Sequence, residues 1–463
     1  NLVMANVLTT IIDHKKLEVA ERKQQLPLEQ FKQLVQPSQR NFLKALQQKG
    51  PRFILECKKA SPSKGLIRSP FDLDEISAAY AQYADCISVL TDEKFFQGNY
   101  DYLAKVRAKV NQPLLHKDFI IDSYQIYLGR LQGSDAVLLM LSVLNDLEYL
   151  ELAKVAKSLN LTILTEVSNE AETLRAVALG AELIGINNRD LRTLDTNLET
   201  SFKLSRLIPK GITIVSESGI YSSQQVRQLA KVADAYLVGS SLMAQADLAD
   251  ACRSLIRGEH KVCGLTRAQD SKAVYDNGAY FGGLIFYPKS PRCVTVEQAK
   301  AVQQGAPALH YVGVFVDEAV ETVAEIARDL KLAAVQLHGD ESDLYLQKLR
   351  PLLPKTTEIW KAYRVQHQLP KLTRYADRYL LDAYHPTQAG GTGQQFDWQL
   401  LDEQLLDKKV MLAGGLTSDN VIAALKHQVL AVDLNSGLES APGIKDAGKI
   451  QHAFANIREF SHD

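Results

Sequence analysis

Glutamates and lysines stand at the ends of short apolar runs through the first half of this 463-residue chain. Glu56 and Lys58 close the first run, Lys117 the third and Glu166 the fifth. Asn187 and Arg189 follow at the sixth, Glu217 and Ser218 at the seventh. Where such groups converge they shift each other's pKa, and lysine–glutamate sets of this kind do general acid and base work. Any one of them fits a rim salt bridge as well as a catalytic role. The whole series, at successive run ends, fits an enzyme. The second half is sparser, with Cys263 at its first run and Asp382 at its sixth. A thiolate base and a carboxylic acid on opposite sides of a ligand could take a proton from carbon and deliver another to oxygen. That is what a sugar-phosphate isomerase requires, and the thiol then needs a depressed pKa. Taken singly, Cys263 reads better as a buried strand cysteine, and Asp382 as a loop-orienting residue.

The elements that must position these groups are legible from a pattern that occurs twice. Residues 213–240 run Thr213-Ile-Val-Ser-Glu217-Ser218-Gly219, a helix-sized gap, then Leu237-Val-Gly239-Ser240. Residues 410–437 run Val410-Met-Leu-Ala-Gly414-Gly415-Leu416, a similar gap, then Asp433-Leu-Asn435-Ser436-Gly437. Glycines let backbone N–H groups approach an anion, and a following helix start adds positive potential. In a (β/α)₈ barrel the loops after strands 7 and 8 hold a phosphate in this way. Two rounds of eight short apolar runs alternate with helix-period segments. The first round spans Phe53–Lys58 to Ala235–Ser240, the second Lys261–Thr266 to Ala431–Ser436. Continuous apolar runs with helices between them are parallel strands covered on both faces. The expected fold is α/β, two fused (β/α)₈ TIM barrels spanning 1–258 and 259–463. Residues 1–50 form a helical extension, expected to lid or brace the first barrel with Ile11, Ile12, Leu17 and Val19 on its apolar side. Gly258 reads as a helix C-cap. With no Pro- or Ser-rich linker, the sequence predicts tightly joined barrels.

Composition sets the boundaries. A net charge of −1 offers no basic field for nucleic acid, so anion binding must be local. Cys57, Cys86, Cys252, Cys263 and Cys293 form no CxxC pair, which points to a reducing compartment without structural zinc or disulfides. No apolar run approaches the ~20 residues of a membrane span, and no signal-peptide pattern opens the chain. A cytoplasmic protein without membrane partners is the expectation. His116, His260 and His310 read as ordinary core or surface histidines.

The first half resembles indole-3-glycerol phosphate synthase over essentially its whole length. The residues carrying the likeness are Ile54-Leu-Glu-Cys-Lys-Lys-Ala-Ser-Pro-Ser-Lys-Gly65, Ser88-Val-Leu-Thr-Asp-Glu93, Lys117-Asp-Phe119, Leu164-Thr-Glu-Val167, Gly185-Ile-Asn-Asn-Arg-Asp-Leu191 and Ser216-Glu-Ser-Gly219. The resemblance implies closure and decarboxylation of an anthranilate-linked deoxyribulose phosphate to indole-3-glycerol phosphate. It implies Lys117 as general acid and Glu166 as an acid/base partner. Glu56 and Lys58 would serve dehydration or anchor the substrate carboxylate, the division between the two lysines staying open. Asn187 and Glu217 would position the intermediate. Ser61, Gly219, Gly239 and Ser240 would line the phosphate site, Arg189 and Ser218 would bind substrate, and Phe119 would offer an apolar wall.

The second half resembles phosphoribosylanthranilate isomerase. Here the motifs are Lys261-Val-Cys-Gly-Leu-Thr266, Ser290-Pro-Arg292, Tyr311-Val-Gly-Val-Phe315, Val335-Gln-Leu-His-Gly339, Gly390-Gly-Thr-Gly393, Leu412-Ala-Gly-Gly-Leu416 and Asn435-Ser-Gly-Leu-Glu439. The resemblance implies an Amadori rearrangement of N-(5-phosphoribosyl)anthranilate, with Cys263 as base and Asp382 as acid. Arg292 would meet the anthranilate carboxylate and His338 would line the site. Gly391, Thr392, Gly415, Ser436 and Gly437 would hold phosphate. The stretch from Asp382 to Gly390, through His385, is longer than the family pattern. The isomerase product is the synthase substrate, so the halves would catalyse successive steps of tryptophan biosynthesis on phosphorylated anthranilate compounds, and neither resemblance implies a metal or redox cofactor. Without the family, an aldolase-like first half with Lys58 or Lys117 as a Schiff base, or a non-catalytic second barrel, would be the alternatives.

Overall fold

The computed structural model describes residues 6–383, 398–404 and 407–463. Eight parallel strands close the first barrel: β1 (Arg52–Cys57), β2 (Cys86–Leu90), β3 (Leu114–Lys117), β4 (Ala136–Met140), β5 (Thr162–Val167), β6 (Leu183–Asn187), β7 (Thr213–Glu217) and β8 (Ala235–Val238). Closure is made where β1 pairs with both β2 and β8. The second barrel repeats the plan with β9 (Lys261–Val262), β10 (Phe281–Ile285), β11 (His310–Phe315), β12 (Ala334–Leu337), β13 (Glu358–Val365), β14 (Arg378–Ala383), β15 (Val410–Ala413) and β16 (Ala431–Leu434). There β9 pairs with β10 and β16. The expected strand β9 is cut to two residues because Gly264 turns the chain with φ +74°. Chain contacts divide the molecule into two compact units. One comprises Asn1–Tyr221 with Gln228–Cys252, the other Ser222–Arg227 with Arg253–Asp463. Among the described residues, no helix is long and apolar enough to cross a membrane.

Side chains along a strand alternate between faces, and this period fixes the site. In the first barrel Ile54, Leu115, Leu164, Leu183 and Val215 share one buried apolar cluster. Two residues further along the same strands come Glu56, Lys117, Glu166, Gly185 and Glu217. In the second, Phe281, Ala334, Leu380, Met411 and Ala431 belong to one cluster with Trp360. Two residues beyond them stand Gly283, Gln336, Asp382, Ala413 and Asp433. Each barrel is thus an apolar plug with a layer richer in polar groups above it.

The extension forms helix α1 (Val7–Gln25), whose Asn6 side chain caps it by accepting from the Thr9 N–H at 2.7 Å. Its buried stripe is Leu8, Ile11, Lys15 and Val19. Leu8, Ile11, Phe42 and Leu46 join the first barrel's core cluster. Leu17, expected on the apolar side, is 71% exposed. It lies off the 8–11–15–19 stripe, and a lysine takes the buried place instead. Fully buried, Lys15 lies 2.5 Å from Asp92, 3.0 Å from Asp118 and 2.7 Å from Glu18. These charges outweigh burial and hold its pKa above the usual lysine value. The helix therefore attaches to the residue that follows Lys117.

Candidate active sites

In the first mouth a buried anion is the hub. Glu56 is fully buried, and its Oε2 accepts from Lys117 Nζ at 2.8 Å and from Ser88 Oγ at 2.7 Å. Its Oε1 lies 3.3 Å from Lys58 Nζ. Burial opposes the charge of Glu56, but Lys117 and Lys58 draw it down to about 2. The two lysines respond in opposite directions. Burial outweighs Glu56 at Lys58 and lowers it, whereas at Lys117 the charges of Glu56 and Glu217 overcome burial and raise it. Lys117 is thus an ammonium at neutral pH. Glu166 and Glu217 are neighbours, and neither Glu217 oxygen meets an N–H or O–H donor among the described residues. Burial, then the Glu166 charge, pushes Glu217 well above the carboxylate range, and burial also raises Glu166. Gly185 makes room for the pair, since a Cβ there would stand 2.8 Å from Glu217 Oε1.

One cleft gathers most of the expected residues. Lys58, Ser61, Lys117, Phe119, Glu166, Asn187, Arg189 and Ser218 all line it, with Phe96, Leu138 and Met140 as an apolar side. Ser218 Oγ donates to Asn187 Oδ1 at 2.9 Å, and Arg189 Nε donates to Thr196 Oγ1 at 3.0 Å. Ser61 Oγ accepts the Lys64 N–H at 3.2 Å, and Ser240 Oγ accepts from Lys58 at 3.2 Å. Gly219, Gly239 and Ser240 lie outside that lining. Gly239 also packs on the hub: a Cβ there would be 3.0 Å from Glu56 Cβ. Sequence reading passed over Lys15 and Ser88 as functional groups. Asp118 Oδ2 accepts from Thr91 Oγ1 at 2.6 Å, which together with Lys15 anchors the end of β3.

In the second mouth the hub is a cation. Lys261 is fully buried and donates to Gln336 Oε1 and to Asp433 Oδ2, both at 2.8 Å. Cys263 stands two residues on from it. Gly283 opens the space both occupy, since a Cβ there would lie 2.6 Å from Cys263 Sγ and 3.0 Å from Lys261 Cε. The expected depressed thiol pKa is not found. Burial pushes Cys263 up, and the Lys261 charge only partly offsets it. Burial and then the Asp433 charge push Asp382 up to about 6, in the range of a usable acid. Burial also raises Asp433, against the pull of Lys261, and its Oδ1 has no partner among the described residues. His338 Nδ1 lies 3.3 Å from Gln336 Nε2; burial, then Lys261, lowers it to about 4, so the ring is neutral.

Gly415 carries φ +65°, and Gly437 packs so closely on the Leu416 carbonyl that a Cβ would come within 2.0 Å of its oxygen. The loops after β15 and β16 meet there, with Ser436 opening a short turn over Ser436–Leu438. Gly391 and Thr392, with the stretch holding His385, lie outside the described residues. Lys261 and Asp433 escaped the sequence reading, although the strand period could have found both: Lys261 precedes Cys263 by two, and Asp433 follows core Ala431 by two. His116 and His260 are buried core residues, lowered by burial to about 4 and about 3.

Comparison with known proteins follows the same division. The indole-3-glycerol phosphate synthase family matches residues 8–255, and the N-(5'-phosphoribosyl)anthranilate isomerase family matches residues 260–456. The "Tryptophan biosynthesis protein TrpCF" of Vibrio cholerae is 54% identical over 99% of this chain and 97% of its own length. The protein of that name from Salmonella typhi is 51% identical over 99% of this chain and 100% of its own. A phosphoribosyl anthranilate isomerase structure from Thermus thermophilus is 30% identical, with a TM-score of 0.39, covering 43% of this chain and 98% of that one.

Proposed function

The chain belongs to the bifunctional tryptophan-biosynthesis family that joins an indole-3-glycerol phosphate synthase to a phosphoribosylanthranilate isomerase, and from that premise we propose how each mouth does its chemistry. The second barrel acts first. Asp382, protonated, gives its proton to the ring oxygen of N-(5-phosphoribosyl)anthranilate as the sugar opens to an iminium. Cys263, as thiolate, removes the proton from the neighbouring carbon, and the resulting enol tautomerises to the ketone. Arg292 meets the anthranilate carboxylate and His338 lines the site as a neutral ring. Gly415, Ser436 and Gly437 receive the phosphate, together with Gly391 and Thr392.

The first barrel takes the product. Lys117 protonates the ketone oxygen as the aromatic carbon attacks, and carbon dioxide then leaves to restore the aromatic electrons. Loss of the hydroxyl as water, with Glu166 holding or returning the proton, completes the indole. The observation that carries this assignment is the split between the lysines: Lys117 is held as an ammonium by Glu56, while Lys58 is lowered. Lys58, which donates to Ser240 on the phosphate side, takes the substrate carboxylate, whose charge favours the ammonium that burial disfavours. Asn187 and Glu217 position the intermediate, Glu56 fixes both lysines, and Phe119 packs against the aromatic ring. Ser61, Ser218, Gly219 and Gly239, with Arg189, surround the phosphate arm.

The division at Gly258 and a cytoplasmic location complete the proposal. Both partners are phosphorylated small molecules. The test is steady-state fluorescence on the full chain supplied with phosphoribosylanthranilate. Loss of anthranilate emission with appearance of indole-glycerol phosphate supports the sequence of steps. A Cys263→Ala variant that still starts from phosphoribosylanthranilate overturns the assigned base.

A further inference from the structure

Arg292 reaches the second mouth already engaged. Its Nε lies 3.1 Å and 2.9 Å from the two oxygens of Glu439, and its Nη2 lies 2.5 Å from Glu439 Oε1. Nη1 has no partner among the described residues. The Glu439 side chain is almost wholly buried, and its Oε2 also accepts from Lys445 Nζ at 3.1 Å and from the Gly443 N–H at 2.9 Å. Lys445 is fully buried and donates to Asn435 Oδ1 at 2.9 Å. Arg292 and Lys445 outweigh Glu439, so the cluster keeps a net positive charge.

The arginine stem crosses directly over the residue after Cys263. A Cβ on Gly264 would lie 2.6 Å from Arg292 Cδ, and φ +74° at that position already favours glycine. A fork held along its Nε–Nη2 edge loses little further rotamer freedom when Nη1 takes a carboxylate. An unheld arginine, 18% exposed at its side chain, would pay that ordering cost on each binding event.

We propose that Glu439 is a positioning residue for substrate selection: it holds Arg292 across Gly264, the residue after Cys263, with Nη1 left to take a ligand, so that the isomerase site favours aromatic amines bearing an ortho carboxylate. The proposal rests on the reading that Arg292 meets that carboxylate. Glu439 touches no reacting atom and acts through Arg292 alone. Its effect belongs in KM for carboxylated substrates rather than in kcat.

The experiment measures isomerase kcat and KM on the full chain with phosphoribosylanthranilate and with N-(5-phosphoribosyl)aniline, which lacks the carboxylate. Wild type, Glu439→Gln, Arg292→Ala and the double variant are compared. Glu439→Gln keeps an acceptor oxygen but loses the charge-assisted bonds, and should raise KM for the carboxylated substrate about tenfold. Its kcat and its behaviour toward the aniline compound should stay within about twofold, and it should add nothing to Arg292→Ala. Glu439→Asp, which draws the carboxylate back by one methylene, should show the same substrate-selective rise if the glutamine variant melts early. Equal losses on both substrates, no loss at all, or full additivity with Arg292→Ala each overturn the positioning role. An Arg292→Ala variant that treats both substrates alike overturns the carboxylate reading itself, and is seen without any Glu439 variant.

Discussion

The two mouths stand on one scaffold and solve their electrostatics with opposite signs. In the first barrel strand β1 supplies a buried anion, Glu56, and lysines gather round it. In the second, the corresponding strand β9 supplies a buried cation, Lys261, with Asp433 and Gln336 as its partners. The hub biases its neighbours' charges, and burial wins wherever that bias is too weak. Glu56 keeps Lys117 protonated, while Glu166 and Glu217 have too little positive charge nearby to overcome burial. Lys261 pulls Cys263 and Asp382 toward their anions, yet burial prevails at both. A polar ring above an apolar plug is thus a shared architecture on which the hub's charge and the depth of burial together set the acid–base chemistry.

The sharpest way to break this comparison is to silence one mouth and read the other. Lys117→Ala should lower synthase turnover by roughly 10²–10⁴-fold and leave the isomerase near wild type. Cys263→Ala or Asp382→Asn should do the reverse by a similar factor. Parallel loss of both activities in any of these variants, measured with each substrate supplied separately, would sink the two-site account.

A second effect is confined to the first barrel. Lys15→Met leaves Asp92 and Asp118 as buried carboxylates without their cation, which should cost about 3–5 kcal/mol. Thermal melting followed by circular dichroism measures it. A melting temperature unchanged from wild type would mean that α1 does not brace the end of β3.

A third test concerns pH. The isomerase pair needs one proton between Cys263 and Asp382. Below about 6 both groups are protonated, so kcat/KM should fall on acidification through that value. It should decline on the alkaline side only above the ordinary thiol range, because burial raises Cys263. Asp382→Asn should abolish the limb near pH 6 in the residual rate, and a limb that persists would assign it to another group.

The smallest effect sharpens the reading of α1. Leu17→Ser on its exposed side should change stability by no more than about 0.5 kcal/mol. A larger destabilisation by the same melting measurement would place Leu17 against a surface.

Sequence pattern alone determined the two eightfold barrels, because short apolar runs between helix-period segments leave few other ways to cover both faces of parallel strands. It also located the strand ends where Glu56, Lys58, Lys117, Glu166, Asn187 and Glu217 stand, since residues two or four positions beyond a core residue on the same strand face the mouth. The charge states of those groups were not legible, because they depend on distances across strands far apart in the chain. Glu56 and Lys117 are 61 residues apart and 2.8 Å distant. Leu17 was misplaced and Lys15 overlooked for a related reason: hydropathy assigns a lysine to water, and only the barrel brings Asp92 and Asp118 to bury it. The thiol of Cys263 follows the same logic, its pKa raised by a burial that no local spacing records. Local sequence fixes which way a side chain points along its strand, whereas tertiary packing fixes which charge it meets and how much water remains.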